Sequence, residues 1–176
     1  MNNIKKIDYT FIKSNNSNKV IVAFHGWQGN KDSFLPLVKY ELFNNYNWYL
    51  VQGPYLVDND TTRRTWSYEV KPGEWAFDEP KKLISDLFYN EIFKKFDSKN
   101  VYVIGFSLGA LVCYEIICSL NQPLGAIFPI SGFVSNEIVL DDAQKETPII
   151  IGHGTNDQIV PFKRSKESYD ILKEQN

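Results

Sequence analysis

The sequence predicts an α/β domain with a mainly parallel sheet and helices on both faces, on three observations. Short apolar runs at 20–24, 48–51, 101–104, 125–130 and 148–152 alternate with segments of helical length and pattern. That order wraps helices around a parallel sheet. The run Val20-Ile21-Val22-Ala23-Phe24 is apolar throughout rather than alternating, as expected of a strand buried on both faces. Third, the run at 101–104 leads through Gly105-Phe106-Ser107-Leu108-Gly109 directly into the apolar stretch 110–118, which reads as strand, tight turn and buried helix.

Each element follows in order. Residues 7–12 alternate roughly as a strand, and Ser14-Asn15-Asn16-Ser17-Asn18 is a turn. After the strand 20–24, residues 31–43 suit a helix, capped by Asn30 or Asp32, with Phe34, Leu37, Val38 and Leu42 on one side. The strand 48–51 ends at Gly53-Pro54, and the connection 55–79 is too rich in Trp, Tyr, Pro and Gly for a helix. A helix over 80–96 turns Leu83, Leu87, Phe88 and Ile92 inward. Strand, turn and helix at 101–118 come next, then strands 125–130 and 148–152. A last amphipathic helix starts near Lys163, with Phe162, Tyr169 and Leu172 on one face. In such sheets ligands bind beyond the carboxyl ends of the strands, and His25, Gly53, Ser107, Ser131 and His153 all fall there.

The 176 residues suit a single domain over 1–176, a size that buries roughly 70% of the unfolded surface. A hydrophobic share of 43% and a charged share of 23% are ordinary for a globular chain. Nineteen basic and 21 acidic residues give a formal charge of −2, without a block of like charge, so neither nucleic acid nor an anionic membrane is indicated as a partner. Cys113 and Cys118 fall about 140° apart around their predicted helix. They read as two small core residues of a reducing compartment rather than a disulfide. Met1-Asn2-Asn3-Ile4-Lys5-Lys6 lacks the apolar stretch and cleavage site of a signal peptide. No run approaches the ~18 apolar residues of a membrane helix, and the expected location is cytoplasmic. Nothing in the sequence marks an oligomeric state.

A serine between two glycines at a strand-to-helix turn forms a nucleophile elbow. The turn is so sharp that its flanking residues must be small, and the Ser107 hydroxyl is pushed out above the sheet. The bare pattern is weak, and the strand-turn-helix context lifts it above a structural Ser-Gly turn. Together with this elbow, two further motifs carry a resemblance: the His25-Gly26-Trp27 turn and His153-Gly154-Thr155-Asn156-Asp157-Gln158-Ile159-Val160-Pro161. The chain resembles the carboxylesterase/phospholipase family of α/β-hydrolases, the group that includes acyl-protein thioesterases and small bacterial carboxylesterases. The match runs from Val20 to Leu172. Gly53-Pro54 followed by Arg64-Thr65-Trp66-Ser67-Tyr68 also looks like the family's link between a proline-bearing strand end and an R-x-W stretch.

The resemblance implies an α/β-hydrolase fold that cleaves a small-molecule carboxylic ester or thioester with an apolar acyl group, without metal or cofactor. It implies Ser107 as nucleophile, Asp157 as the acid that orients the base, and the backbone N–H groups of Trp27 and Leu108 as the oxyanion hole. Chemistry asks for the same parts, since a serine hydroxyl needs a base and the oxyanion two converging donors. Leu108 N–H opens a helix, where free donors and the dipole favour negative charge. Plainer alternatives stand beside these roles. Asp157 could be a turn or cap residue, and His25 more often stabilises its own loop than acts as a base. Trp66, Trp75 and Phe77 are expected to wall an apolar substrate pocket, the alternative being packing for a long loop.

One part is missing. The family order is serine, acid, histidine, yet residues 158–176 hold no histidine, and the only two are His25 and His153. His153 matches the family's non-catalytic H-G. The resemblance implies a further strand, a Gly-His loop and a closing helix after 163–174. The expectation is therefore a C-terminally incomplete hydrolase domain, inactive as it stands and poorly soluble through the apolar edge at 148–151. Two rivals remain: a catalytically inactive protein of the same fold that binds a small molecule, and a peptidase or dienelactone-hydrolase relative. Dienelactone hydrolases prefer cysteine at the elbow, so Ser107 counts against them.

Overall fold

The computed structural model describes residues 6–14, 17–72, 74–134 and 138–175. Its strands are β1 (Tyr9–Ile12), β2 (Val20–Phe24), β3 (Asn47–Val51), the pair β4 (Tyr55–Val57) and β5 (Asp60–Thr65), the pair β6 (Glu69–Lys71) and β7 (Glu74–Trp75), β8 (Val101–Phe106) and β9 (Ala126–Ile130). Its α-helices are α1 (Leu35–Val38), α2 (Asp78–Leu87), α3 (Leu108–Glu115) and α4 (Phe162–Glu174). Five strands form one sheet in the order β1-β3-β2-β8-β9. All neighbours are parallel except β1, which runs antiparallel to β3. This is the mainly parallel α/β sheet that the sequence predicts.

Every residue of β2 and β3 is buried, because helices cover both faces. Val20, Val22, Phe24, Val101 and Val103 pack with side chains of α2, α3 and Leu172 of α4. Ile21, Ala23, Trp48 and Leu50 face the other way, against Leu35, Leu37 and Val38 of α1 and the neighbouring Phe34 and Phe43. Alternation along each strand thus feeds two cores, and the strand ends are left to carry chemistry. Cys113 and Cys118 are free thiols, both buried. No helix among the described residues is long and apolar enough to cross a membrane.

Several elements depart from expectation. The helix expected over 31–43 breaks into a 3-10 turn (Lys31–Phe34), the single turn of α1 and a second 3-10 turn (Glu41–Phe43). Pro36 supplies no N–H donor, and Tyr40 is extended at ψ 133°, so the ladder cannot run through. Asn30 is the cap, its side chain accepting from the Asp32 N–H at 2.9 Å, and Leu42 is exposed. The helix expected over 80–96 begins at Asp78, with Pro80 harmless in its first turn. It then passes into a π turn over Phe88–Ile92, where the Phe93 N–H reaches back to the Phe88 carbonyl at 2.9 Å. Leu83, Leu87, Phe88 and Ile92 are all buried.

The connection 55–79 forms the two hairpins β4–β5 and β6–β7. The strand expected over 148–152 is reduced to two isolated parallel bridges, Ile127 with Ile149 and Ile130 with Gly152. On α4 the expected face is corrected: Leu172 is buried, but Phe162 and Tyr169 are exposed, and Ser165 and Ser168 complete the inner face. The Ser168 hydroxyl donates to the Arg164 carbonyl and accepts the Val134 N–H, both at 2.8 Å. Small polar side chains thus bring the helix close to the loop after β9. Asn15 and Asn16 of the expected turn lie outside the described residues.

Candidate active site

Ser107 sits between the end of β8 and the start of α3, at φ 54° and ψ −116°. An L-residue holds such a conformation only where its surroundings over-determine it. Here they do. The Ser107 N–H donates to the Ile130 carbonyl of β9 at 2.8 Å, and the Ser107 carbonyl accepts the Ala110 N–H at 2.8 Å. A Cβ on Gly105 would overlap the Gly109 carbonyl, and one on Gly109 would overlap the Phe24 carbonyl. Helix α3 therefore lies in backbone contact with β8 and β2, and Leu108 through Tyr114 are buried. The Leu108 N–H precedes the first intrahelical bond, at the positive end of the helix dipole.

His25 follows β2 and is 1% exposed. Its Nε2 accepts the Gly53 N–H at 2.9 Å, so the proton is on Nδ1, which donates to the Gly26 carbonyl at 2.7 Å. Burial pushes its pKa down to about 4. The Trp66 ring lies 4.8 Å away, and its indole N–H donates to the His25 carbonyl at 2.7 Å. His25 is thus a neutral pin that fixes its own turn, with both ring nitrogens engaged. That turn abuts the elbow: a Cβ on Gly26 would stand 3.4 Å from the Ser107 Cβ. The Gly29 N–H closes the turn on the Gly26 carbonyl at 3.0 Å, while the Trp27 N–H meets no backbone acceptor among the described residues.

Asp157 lies in the loop beyond Gly152. One carboxylate oxygen, Oδ1, accepts the Ile159 N–H at 2.9 Å and the Val160 N–H at 3.0 Å. These backbone bonds, Val160 foremost, hold its pKa below the usual carboxylate value, helped by a hydrogen bond from the Ser131 side chain. Ser131 itself has φ 52°, and its N–H donates to the Gly152 carbonyl at 2.8 Å. His153 Nε2 donates to the Val160 carbonyl at 2.8 Å and stands 3.5 Å from Asp157 Oδ2. Its Nδ1 is buried without a partner.

The aromatic wall needs correcting. Trp66 is 0% exposed, packed edge-on to Phe24, and so supports the His25 turn from beneath instead of facing a ligand. Phe77 is buried as well, and Trp75 is partly buried against the main core. Two exposed aromatics are sequence neighbours of these turns: Trp27, 60% exposed, follows Gly26, and Phe106, 49% exposed, precedes Ser107. Phe106 would lie 3.2 Å from a Cβ on Gly26. Alternation along β8, which turns Gly105 inward and Phe106 outward, is the sequence signal that marks Phe106.

Comparison with known proteins adds the following. A family model described as Phospholipase/Carboxylesterase matches residues 7–176. The chain is 31% identical over 102 residues to acyl-protein thioesterase 1 homolog 1 of Dictyostelium discoideum, covering 56% of this chain and 45% of that protein. It thus spans under half the length of that relative. It is 22% identical over 171 residues to acyl-protein thioesterase 1 of Cryptococcus neoformans, covering 86% of this chain and 71% of the relative. Among solved structures, the Bacillus cereus carboxylesterase superposes with a TM-score of 0.79 at 23% identity, over 98% of this chain and 82% of that one. Arabidopsis thaliana SOBER1 does so with a TM-score of 0.74 at 23% identity, over 91% and 84%. At these identities the structural likeness is one of fold, an α/β-hydrolase fold.

Proposed function

This chain belongs to the phospholipase/carboxylesterase family, and we propose that it is a serine hydrolase cleaving small-molecule carboxylic esters or thioesters through an acyl-enzyme on Ser107. The observation that carries this reading is the Ser107 backbone, held at φ 54° where the Gly26 turn meets α3. Relatives named acyl-protein thioesterase support the same class.

In this reading the Ser107 oxygen attacks the substrate carbonyl, and the N–H groups of Trp27 and Leu108 receive the oxyanion that forms. The tetrahedral intermediate collapses, the alcohol or thiol leaves with a proton, and water then releases the acid. The Ser107 proton passes to a general base, which Asp157 is placed to orient, and from it to the leaving alcohol or thiol. Neither histidine of the 176 residues is proposed as that base: His25 is bonded at both nitrogens, and His153 Nε2 is held by the Val160 carbonyl. Without a base, oxyanion donors and binding alone supply ~10³–10⁴ over water. Trp27 and Phe106 offer the apolar surface for the acyl group, and Trp75 is the remaining candidate wall from the 55–79 connection. Burial pushes both thiols up, Cys118 to about 12, so neither competes as nucleophile. Free thiols suit a reducing compartment, here the cytoplasm.

The test is release of p-nitrophenol from p-nitrophenyl butyrate by the protein and by Ser107→Ala, with mass spectrometry of the protein. A butyryl adduct on Ser107 that Ser107→Ala lacks is expected. Equal butyrylation of Ser107→Ala sinks the reading. Reversible butyrate binding with no adduct favours the inactive binding scaffold instead.

A further inference from the structure

Arg64 lies on β5 opposite Leu56 of β4, and its backbone N–H donates to the Gly29 carbonyl at 2.8 Å. Gly29 closes the turn that begins at Gly26, and Gly26 lies against Ser107. One hydrogen bond thus ties Arg64 to the turn that carries the Trp27 N–H. Its side chain is half-buried. The Nε is sealed from solvent and has no acceptor, and among the described residues no carboxylate pairs with the guanidinium. The neighbouring Arg63 differs, since it pairs with Asp58 at 3.4 Å. The Arg64 charge is felt at His25, where it opposes protonation.

A guanidinium carries five donors, accepts nothing and keeps its proton at any ordinary pH. Partial burial without a counter-charge is unfavourable, and an unsatisfied buried donor in a folded chain calls for a missing ligand, ion or water. The planar fork matches a carboxylate or phosphate, which it binds through paired N–H bonds. We propose that Arg64 is an anion-binding subsite, and that the substrate is an acidic ester or thioester whose carboxylate or phosphate it takes. The proposal rests on Ser107 as nucleophile, because that role puts the scissile bond beside the same turn. An exposed cation would only steer such a substrate. A half-buried, unpaired one also selects against neutral analogues, which leave its donors empty.

The experiment follows the Arg64 Nε–Hε resonance of the 15N-labelled protein while methylphosphonate is added. A saturable shift is expected, weakening with added salt. In the variants the backbone amides of Gly29 and position 64, hydrogen-bonded neighbours in the structure, report the same titration: Arg64→Gln lowers the affinity by about tenfold or more, Arg64→Lys by less, since it keeps the charge and loses the fork. Arg63→Gln, whose charge is already paired, leaves it unchanged. Undiminished affinity in a folded Arg64→Gln or Arg64→Lys protein overturns the proposal, as does a titration that moves only other resonances or none. The ester assay reads Ser107 and this titration reads Arg64, so either can fail alone.

Discussion

The two sides of the candidate site are held by different forces. Ser107 is fixed by the core: α3 is buried from Leu108 to Tyr114, and glycines bring its backbone against β8 and β2. Asp157 is fixed by its own loop. The segment before it joins the sheet through two isolated bridges, Ile159 beside it is 88% exposed, and its carboxylate is held by the Ile159 and Val160 N–H groups and by Ser131. The position of Ser107, the proposed nucleophile, is therefore a property of packing, and that of Asp157, the proposed acid, a property of local hydrogen bonds and charge. Changes on the first side should register as stability, and changes on the second as a pH response in an intact fold.

The largest effect is expected on the packed side. Gly109→Ala drives a Cβ into the Phe24 carbonyl and should cost about 3 kcal/mol or more, or prevent folding. Urea unfolding measures this, and a cost below about 1 kcal/mol would break the claim of backbone contact. His25 comes next. Its pKa is lowered from 6.5 to about 4, so the fold favours the neutral ring. The resulting stability is fully present above pH 6.5 and is lost as pH falls toward 4. The loss should reach ~2 kcal/mol by pH 5 and about 3 kcal/mol in all. His25→Gln should flatten that slope between pH 7 and 5, and an unchanged slope would remove His25 as its source.

Ser107→Gly tests the strain directly. It should raise stability by about 1 kcal/mol while abolishing the acyl adduct. A destabilised Ser107→Gly protein would mean that the elbow is relaxed. The smallest effect lies on the loop side. Asp157 has a depressed pKa, so its contribution is present above the unfolded carboxylate pKa and is lost as pH falls through the folded one. Ser131→Ala removes one donor and should move that titration toward the ordinary value, in carboxyl-carbon NMR, with the urea midpoint at pH 7 little changed. An unmoved Asp157 titration would place Ser131 outside the acid's surroundings.

The contrast also explains what the sequence discloses. The elbow and both its glycines are legible because a sharp strand-to-helix turn tolerates few side chains, and the parallel strands because burial on two faces demands apolar runs. The break in the helix over 31–43 is harder to see: Pro36 is visible, but the extended Tyr40 depends on tertiary fit. Trp66 misleads because an aromatic in a loop reads the same whether it faces a ligand or, as here, the underside of a turn. The pairing of Ser131 with Asp157, and the unpaired Arg64 beside the paired Arg63, join residues far apart in sequence or turn on a single contact. Neither leaves a periodic signal.

The central claim is that packing, rather than sequence motif alone, singles out Ser107 among the serines. The most direct measurement is peptide mapping after treatment with a fluorophosphonate at alkaline pH, where hydroxide can stand in for the base. Phosphonylation of Ser107 alone is the expected result, with none in Ser107→Ala. Modification at Ser131 or Ser119 with Ser107 untouched, or no modified serine at all, would contradict the account.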